Sequence, residues 1–414
     1  MPKGFGTSMA HISLCMIVKN EAPHLAQCLD SAQPLADEII IVDTGSTDAT
    51  PSIARQYTKH LYHYPWDDNF SNARNYSLSK ATGKWILVLD ADEILNPHII
   101  PPIQQLLQNP HIIAINLIRQ EINAQQAPYT TVCRLFRNRP DLKFWGIYHE
   151  SIDHALAQLL HKYPQYKLAH LEQIAIAHYG YTKHNLDRQN KYKFAERLMT
   201  KHLTAYPNDP YMQNKLGALK ISQGDYTQGI QLLLKSWQTL ETTPDQNNLK
   251  FEVLYHLGHA YEELQEWQIA QIYYEQALQI PTHPLTLLPA WNNLGAVYYH
   301  QKDYQSAIVC YQESISIDPQ CKEAYHNLGL ALRANGELDT AHQAYLHALH
   351  LDPTYACAHQ NLGALLLAQG KIPESQHHLQ QAIHLYHQQG DHQAAQQLAN
   401  LISTSTAPLS PREQ

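Results

Sequence analysis

The stretch that decides the fold is residues 85–93, with the sequence WILVLDADE. Its first five residues are apolar, and three carboxylates follow directly, in Asp90, Asp92 and Glu93. An apolar run of this length predicts a buried strand. Acids at the carboxyl end of a parallel strand lie where open α/β sheets bind ligands, and carboxylate oxygens suit a hard divalent cation.

Strand and helix signals alternate on both sides of this stretch. Buried strands are predicted over residues 12–18, 39–42, 112–118, 130–137 and about 174–181, and helices over about 21–32, from residue 50, and over about 69–81. Strands separated by helices in this rhythm predict a parallel sheet with helices on its faces. The N-terminal part of the chain is therefore expected to be an α/β domain.

From about residue 210 the sequence becomes repetitive. The pair Leu-Gly recurs with its glycine at positions 217, 258, 295, 329 and 363. The last two intervals are both 34 residues, and Ala, Tyr and Pro recur at fixed offsets within the third and fourth units. A 34-residue period of this kind resembles the tetratricopeptide repeat, whose helix pairs stack into a superhelix with a concave face.

The polar motifs between the strands come in a characteristic order. They are VKNE at 18–21, DTGSTD at 43–48, FSNARN at 70–75, DADE at 90–93, CRLFR at 133–137, WG at 145–146, HE at 149–150 and HYGY at 178–181. In this order and spacing the motifs resemble the family-two glycosyltransferases, and the later ones resemble the subgroup that carries tetratricopeptide repeats behind the transferase domain. The resemblance implies an α/β GT-A (Rossmann-like) N-terminal domain followed by an all-α tetratricopeptide superhelix.

These signals predict four segments. A GT-A domain is expected over residues 1–181, a connecting helix over 182–209, about five repeats over 210–402, and a disordered tail over 403–414.

The resemblance also implies a reaction, namely inverting transfer of a sugar from a nucleoside-diphosphate donor, usually a uridine one. By the same resemblance Asp43 contacts the nucleobase, Glu21 lies in the nucleotide cleft, and Arg74 helps to hold the nucleotide. Asp90 is expected to face the ribose or the metal, and Asp92 to ligate Mg²⁺ or Mn²⁺ at the diphosphate. A divalent cation would stabilise the leaving diphosphate without a proton donor, so one catalytic base is enough.

Glu150 is the candidate for that base, although the family usually has an acidic pair where this chain has His149 and Glu150. Glu150 is expected to open a helix directly after the turn at Trp145 and Gly146, and an acid favoured there only by the helix dipole is the competing explanation. His178 is a candidate metal or phosphate ligand, and a packed or solvent-facing histidine is the alternative.

Asn293, Asn327 and Asn361 are spaced 34 residues apart, each directly before its Leu-Gly pair. A row of amides on the concave face would suit the backbone of a bound protein or peptide. Hydrogen bonding to the neighbouring helix explains the same pattern equally well.

Charge and composition argue against several classes of protein. The chain has 414 residues with 29 Lys and Arg against 37 Asp and Glu, a formal charge of −8, which argues against a broad nucleic-acid interface. Its apolar runs are too short to span a membrane, and no signal peptide is expected. Six scattered cysteines without metal-site spacing indicate a reduced, cytoplasmic protein.

Two other functions compete with the transferase. One is a non-catalytic repeat adaptor with a vestigial nucleotide-sugar domain, although such a protein would not need acids and a base around one cleft. The other is a nucleotidyltransferase, which would normally show a Gly-rich basic loop near its start.

Overall fold

The computed structural model describes residues 11–122, 124, 128–180, 185–243 and 246–405. The predictions for residues 181–184 and for the tail over 406–414 lie outside the described residues, and the predicted domain boundaries stay predictions. By compactness the chain divides into two units. One unit comprises residues 1–256 with 280–286, and the other comprises residues 257–279 with 287–414.

The N-terminal domain is built on one eight-stranded sheet. Its strands are β1 (Ile12–Val18), β2 (Glu38–Asp43), β3 (Leu61–His63), β4 (Trp85–Val88), β5 (Glu93–Leu95), β6 (Ile112–Glu121), β7 (Tyr129–Arg137) and β8 (Lys167–His178). Its helices are α1 (Leu25–Ala32), α2 (Thr50–Tyr57), α3 (Phe70–Leu78), α4 (Ile100–Leu107) and α5 (Asp153–Lys162), with a 3₁₀ turn at Pro97–Ile99. The strand order is β3-β2-β1-β4-β7-β6-β8-β5.

The sheet is mixed, which corrects the expectation of a parallel sheet. Strands β1 to β4 pair in parallel, as do β6 and β8, but β7 runs antiparallel to both of its neighbours, and β5 runs antiparallel to β8. The connection from β6 to β7 spans only residues 122–128. A link this short joins antiparallel strands, because a parallel crossover needs a dozen or more residues.

Helices cover both faces of the sheet, so β1, β2 and β4 are almost entirely buried. Leu14 and Met16 of β1 pack on one face with Leu29 of α1 and Ile103 of α4. Successive strand residues point to opposite faces, and Cys15 accordingly packs on the other face with residues of β2, β4 and α5. Burial on both faces explains the continuous apolar runs in the sequence.

The C-terminal part is helical. After α6 (Asn185–Ala205) come the pairs α7 (Pro210–Ser222) with α8 (Tyr226–Leu240), α9 (Asn247–Glu263) with α10 (Trp267–Leu278), α11 (Pro284–His300) with α12 (Tyr304–Ile317), α13 (Lys322–Ala334) with α14 (Leu338–Leu351), and α15 (Ala356–Ala368) with α16 (Ile372–Gln388), and then α17 (His392–Ser405). The Leu-Gly glycine of each pair faces a large side chain of the second helix. A methyl group added at Gly329, for example, would lie 2.6 Å from the ring of Tyr345. The Leu-Gly pair therefore recurs because its glycine lets the two helices of each repeat pack closely.

No helix in the described part of the chain is both long enough and apolar enough to cross a membrane.

Candidate active site

Two loops at the carboxyl ends of β1 and β2 are joined by hydrogen bonds. The Asn20 side chain accepts the Thr47 N–H at 2.7 Å, and the Glu21 N–H donates to Thr50 Oγ1 at 2.7 Å. Asn20 has a φ of +56°, a left-handed conformation that asparagine tolerates better than most residues. Glu21 is thereby held at the same edge of the sheet as Asp43.

Asp43 ends β2 and is 8% exposed. Its carboxylate accepts the N–H groups of Gly45 and Ser46 at 3.2 to 3.3 Å, which fixes the turn that follows the strand. The residue also borders a pocket of about 540 Å³, which is further lined by Arg55 and Lys59. Asp43 therefore meets open space whose lining includes two cations.

Arg74 is buried on α3 and bridges two acids of the predicted site. Its Nε donates to Glu150 Oε1 at 2.9 Å, and its Nη2 forms an ion pair with Asp90. Burial lowers the pKa of the guanidinium, but the charges of Asp90 and Glu150 outweigh this effect and raise it. Nη1 is buried without a hydrogen-bond partner among the described residues. The resemblance assigns Arg74 to the nucleotide, and in the structure it joins the candidate base to the first acid of the DADE motif.

A continuous ion-pair network leads from Asp90 to Asp92. Arg134 contacts Asp90 at 2.7 Å and Glu93 at 3.2 Å. Arg119 in turn joins Glu93, at 3.0 Å, to Glu121, at 2.6 Å. The remaining links run from Glu121 to His178 at 2.5 Å and from His178 to Asp92 at 3.4 Å. With Glu150 and Arg74 included, the network holds five carboxylates, three guanidinium groups and one imidazole.

These contacts set the charge of the site. Burial raises the pKa of Asp90, but Arg134 and Arg74 lower it by more, so the net pKa is far below the usual range. Burial lowers the pKa of His178, and hydrogen bonds with Asp92 and Glu121 more than offset this, raising it to about 9. The contacts with Asp92 and Glu121 thus favour the protonated form of His178.

Glu150 lies in a tight loop before α5. Trp145 and Ser151 exchange backbone hydrogen bonds of 2.9 and 3.0 Å and close the loop. Gly146 has a φ of +103°, and its carbonyl accepts the hydroxyl of Ser71 at 2.5 Å. Because α5 begins at Asp153, the expectation that Glu150 opens the helix is wrong. The helix dipole therefore does not explain the position of Glu150, which is set by the loop and by Arg74.

The donors near Asp92 fit a divalent cation that takes most of its ligands from substrate. Asp92 and His178 are adjacent and partly accessible, whereas both oxygens of Asp90 are paired with arginines. Within the described residues, no group of three or more His, Cys, Asp or Glu side chains is placed to hold a metal. Mg²⁺ is commonly held by one or two carboxylates together with substrate phosphates. Asp92 is thus the residue best placed to ligate the cation, whereas His178, with its ring nitrogens against Asp92 and Glu121, would have to lose a proton before it could act as a ligand.

Comparisons with known proteins agree with this architecture. Residues 13–165 match the family model described as Glycosyl transferase family 2, and tetratricopeptide-repeat models match residues 210–282 and 289–321. A TPR repeat-containing protein of Synechococcus elongatus is 38% identical over 293 residues, which are 71% of this chain and 72% of that protein. The chain belongs to the same family as this repeat-containing protein, and it carries a glycosyl transferase family 2 domain ahead of its tetratricopeptide repeats.

Other relatives match the transferase domain over shorter stretches. An uncharacterized glycosyltransferase of Rickettsia felis is 30% identical over 140 residues, covering 32% of this chain and 49% of that protein. The glycosyltransferase SunS of Bacillus subtilis is 29% identical over 150 residues, covering 34% of each chain. Among solved structures, MamA is similar over 43% of this chain and 98% of its own, with 22% identity and a TM-score of 0.37.

Four residues of the network were not predicted as site residues. Glu93 and Arg134 lie inside the DADE and CRLFR motifs, so their position in those motifs was an available signal. Arg119 and Glu121 lie on β6, where an Arg and a Glu two residues apart on a strand point to the same face. No local signal pairs them with His178, which is 57 residues away from Glu121 in the chain.

The three asparagines of the repeats are half-buried and hydrogen-bonded within the repeats. Asn327 donates to Asn292 at 3.0 Å, Asn293 donates to the hydroxyl of Tyr274 at 3.1 Å, and Asn361 lies 2.8 Å from Nε2 of His326. Their amide nitrogens are thus engaged by neighbouring helices, as the alternative explanation of the row expects.

Proposed function

We propose that this transferase moves a sugar from a nucleoside-diphosphate sugar, most simply a uridine one, to an acceptor with inversion at the anomeric carbon. The observation that carries the proposal is the arrangement around Arg74, which joins Glu150 to Asp90 beside the loops of Glu21 and Asp43. A single base next to the donor acids is what a one-step displacement requires.

In the proposed reaction, Glu150 accepts the proton of the acceptor hydroxyl as its oxygen bonds to the anomeric carbon. The bond from that carbon to the diphosphate breaks, and its electron pair leaves with the diphosphate. Arg74 holds Glu150 in place by donating to its carboxylate at 2.9 Å. Bound Mg²⁺ or Mn²⁺, held by Asp92 with His178 beside it, would neutralise charge on the diphosphate.

We also propose that the acceptor is a protein or peptide, because tetratricopeptide repeats commonly bind extended chains. A cytoplasmic location fits the six cysteines, all of which are free thiols. The row of Asn293, Asn327 and Asn361 could contribute to partner binding only alongside its contacts within the repeats.

A panel of nucleotide sugars tests the transferase proposal. Purified protein with Mn²⁺ should hydrolyse at least one donor and gain thermal stability from it. Asp92→Asn should reduce transfer to less than about a tenth of the wild-type rate and weaken Mn²⁺ binding in the presence of the nucleotide. Asp141→Asn, at an exposed acid that pairs with Arg139, is the control and should change neither property.

The second candidate function is a repeat scaffold with a vestigial nucleotide-sugar domain. One observation favours it, namely that both oxygens of Asp90 are taken by arginines. A scaffold would neither hydrolyse nor bind any donor in the panel, so the same experiment separates the two functions.

A further inference from the structure

A polar cluster on the first two repeats lies beside the loop of Glu150. It consists of Tyr211, Asn214 and Lys215 on α7 and Glu252 on α9, and we call it the Lys215 cluster. Lys215 Nζ lies 2.7 Å from Glu252 Oε2, and the Asn214 amide donates to the same oxygen at 2.8 Å. The ammonium also lies 5.1 Å from the centre of the Tyr211 ring.

The charged members of the cluster are accessible to solvent. The side chain of Lys215 is 21% exposed and that of Glu252 is 34% exposed, whereas Asn214 beneath them is fully buried. The ion pair thus lies at the protein surface, above the buried amide of Asn214. The pair is therefore available to a bound molecule.

Apolar packing fixes the cluster relative to the loop of Glu150. Met212, next to Tyr211, is fully buried, and its methyl group lies 3.8 Å from the point where a Cβ on Gly146 would be. Tyr148 packs against the apolar group that contains Met212 and Leu216. Helix α7, which carries Tyr211 and Lys215, and the loop that carries Glu150 are therefore packed against each other.

Electrostatic effects show that the cluster and this loop share one environment. Burial lowers the pKa of His149 to about 3, and the charge of Lys215 acts in the same direction. Burial raises the pKa of Tyr211 to about 12. The charge of Lys215 lowers this pKa, and the charges of Glu252, Asp153 and Glu150 raise it. Lys215 and Glu252 also act on the carboxyl group of Asp153, so the charges of the repeats reach residues on both sides of Glu150.

A general base must touch the acceptor, and its other neighbours show where the acceptor lies. Arg74 links Glu150 to Asp90, one of the predicted donor-binding acids, and the helix that carries Tyr211 and Lys215 packs against the loop that carries Glu150. We propose that Lys215, Glu252 and Tyr211 form the acceptor subsite of the transferase, so that the first two repeats supply part of the active site. This inference rests on the proposed function, with Glu150 as the base.

The charges of the subsite select the class of acceptor. Lys215 and Glu252 form a pair and offset each other's charge, and the nearby carboxylate of Asp153 also acts on Tyr211. This additional carboxylate disfavours an acceptor that carries a phosphate. The amine, the carboxylate and the phenol offer hydrogen-bond donors and acceptors that suit a peptide. The acceptor is therefore an uncharged or basic peptide segment.

Transfer to matched peptides tests the subsite. The probes are N-acetylated, C-amidated peptides with one central Ser, Thr or Cys flanked by Lys, Ala or Glu, used with a donor that the wild type hydrolyses. The wild type should prefer the Lys and Ala peptides. Glu252→Gln should shift the kcat/KM ratio toward the Glu peptides by about tenfold, and Lys215→Met should shift it toward the Lys peptides by a similar factor.

The circular dichroism spectrum and melting temperature of each variant report that it is folded. The preference between peptides is compared within each variant, so that a change in overall turnover does not affect the result. Lys215→Arg should restore the wild-type preference. Lys322→Met, which removes a comparable ion pair with Asp352 in a later repeat, is the control and should change nothing.

Two results would overturn the inference while leaving the transferase intact. One is that the wild type hydrolyses a donor but transfers its sugar to none of the peptides. Transfer to vesicles that contain a polyprenyl phosphate would make this result decisive. The other is unchanged peptide preference in both Lys215→Met and Glu252→Gln. A wild type that hydrolyses no donor would instead overturn the proposed function, and the subsite with it.

Discussion

Arg74 organises the site at the scale of single residues. It is 4% exposed in its side chain and holds a carboxylate on each side, Asp90 and Glu150. A planar guanidinium can donate to two acids at once in a fixed geometry, which a lysine cannot do. The distance between Glu150 and Asp90 therefore depends on the side chain of Arg74.

Replacing Glu150 tests the base directly. Glu150→Gln keeps the shape of the side chain and an oxygen that can accept from Arg74, but it cannot take a proton. We expect kcat to fall by about 10²- to 10⁴-fold while the donor Kd stays near the wild-type value. Steady-state kinetics and calorimetric donor binding measure the two quantities. An equal loss of donor binding and turnover would assign Glu150 to binding, and would make His149 and Asp153 the candidates for the base.

A methyl group at Gly180 tests the position of His178. A Cβ there would lie 2.7 Å from the His178 ring and 3.4 Å from Asp92 Oδ2, so the ring must move. We expect Gly180→Ala to reduce transfer by about 10- to 100-fold and to weaken Mn²⁺ binding, with an unchanged circular dichroism spectrum. Asp141→Asn, at the exposed acid that pairs with Arg139, is the control and should change neither property. Wild-type activity and metal binding in Gly180→Ala would show that the site does not need this ring position.

Hydrogen bonds between helices connect the repeats at the scale of elements. His326 on α13 lies 3.1 Å from the Asn327 oxygen and 2.8 Å from the Asn361 nitrogen on α15. Asn327 donates in turn to Asn292 on α11. One chain of polar contacts thus crosses three successive first helices, and the position before the Leu-Gly pair has a structural use.

Asn361→Ala should therefore destabilise the repeats. Loss of the contact with His326 is expected to lower the free energy of unfolding by about 0.5–1.5 kcal/mol. Asn335→Ala, whose amide donates to Glu337 on the surface, is the control and should cost less. Urea unfolding measures both. Unchanged stability in Asn361→Ala, together with weaker peptide transfer, would favour a partner-binding role for this asparagine.

The many histidines give the whole molecule a dependence on mild acid. Burial, with the charges of His359, His377 and His342, lowers the pKa of His378 from 6.5 to about 4. Between these values the unfolded chain binds a proton that the folded chain does not. Protonation of this residue therefore favours the unfolded chain. The free energy of unfolding has its full value above pH 6.5 and decreases as the pH falls toward 4.

Melting temperatures at pH 7.5 and pH 5 test this dependence. The wild type should lose more thermal stability on acidification than His378→Gln, which removes the titrating group. His384→Gln, at an exposed position of the same helix, is the control and should behave as the wild type. Equal losses in the wild type and His378→Gln would show that His378 does not contribute.

Much of the fold and part of the site follow from the sequence. The prediction of β1 over residues 12–18 is confirmed, as are the strands around 39–42, 112–118 and 130–137, because burial on both faces leaves apolar runs that can be read locally. The transferase and repeat families are confirmed as well, because ordered motifs and a 34-residue period need no knowledge of contacts.

Only the tertiary structure decided how the charges are paired and which way two strands run. Arg74 meets Glu150 across 76 residues of sequence, and Glu121 meets His178 across 57. No local pattern encodes such partners, because ion pairs depend on which strand ends the fold brings together. The sequence alone thus determined the elements and the acids at their ends, whereas folding determined that arginines link those acids into one network and that the first repeats reach the loop of Glu150.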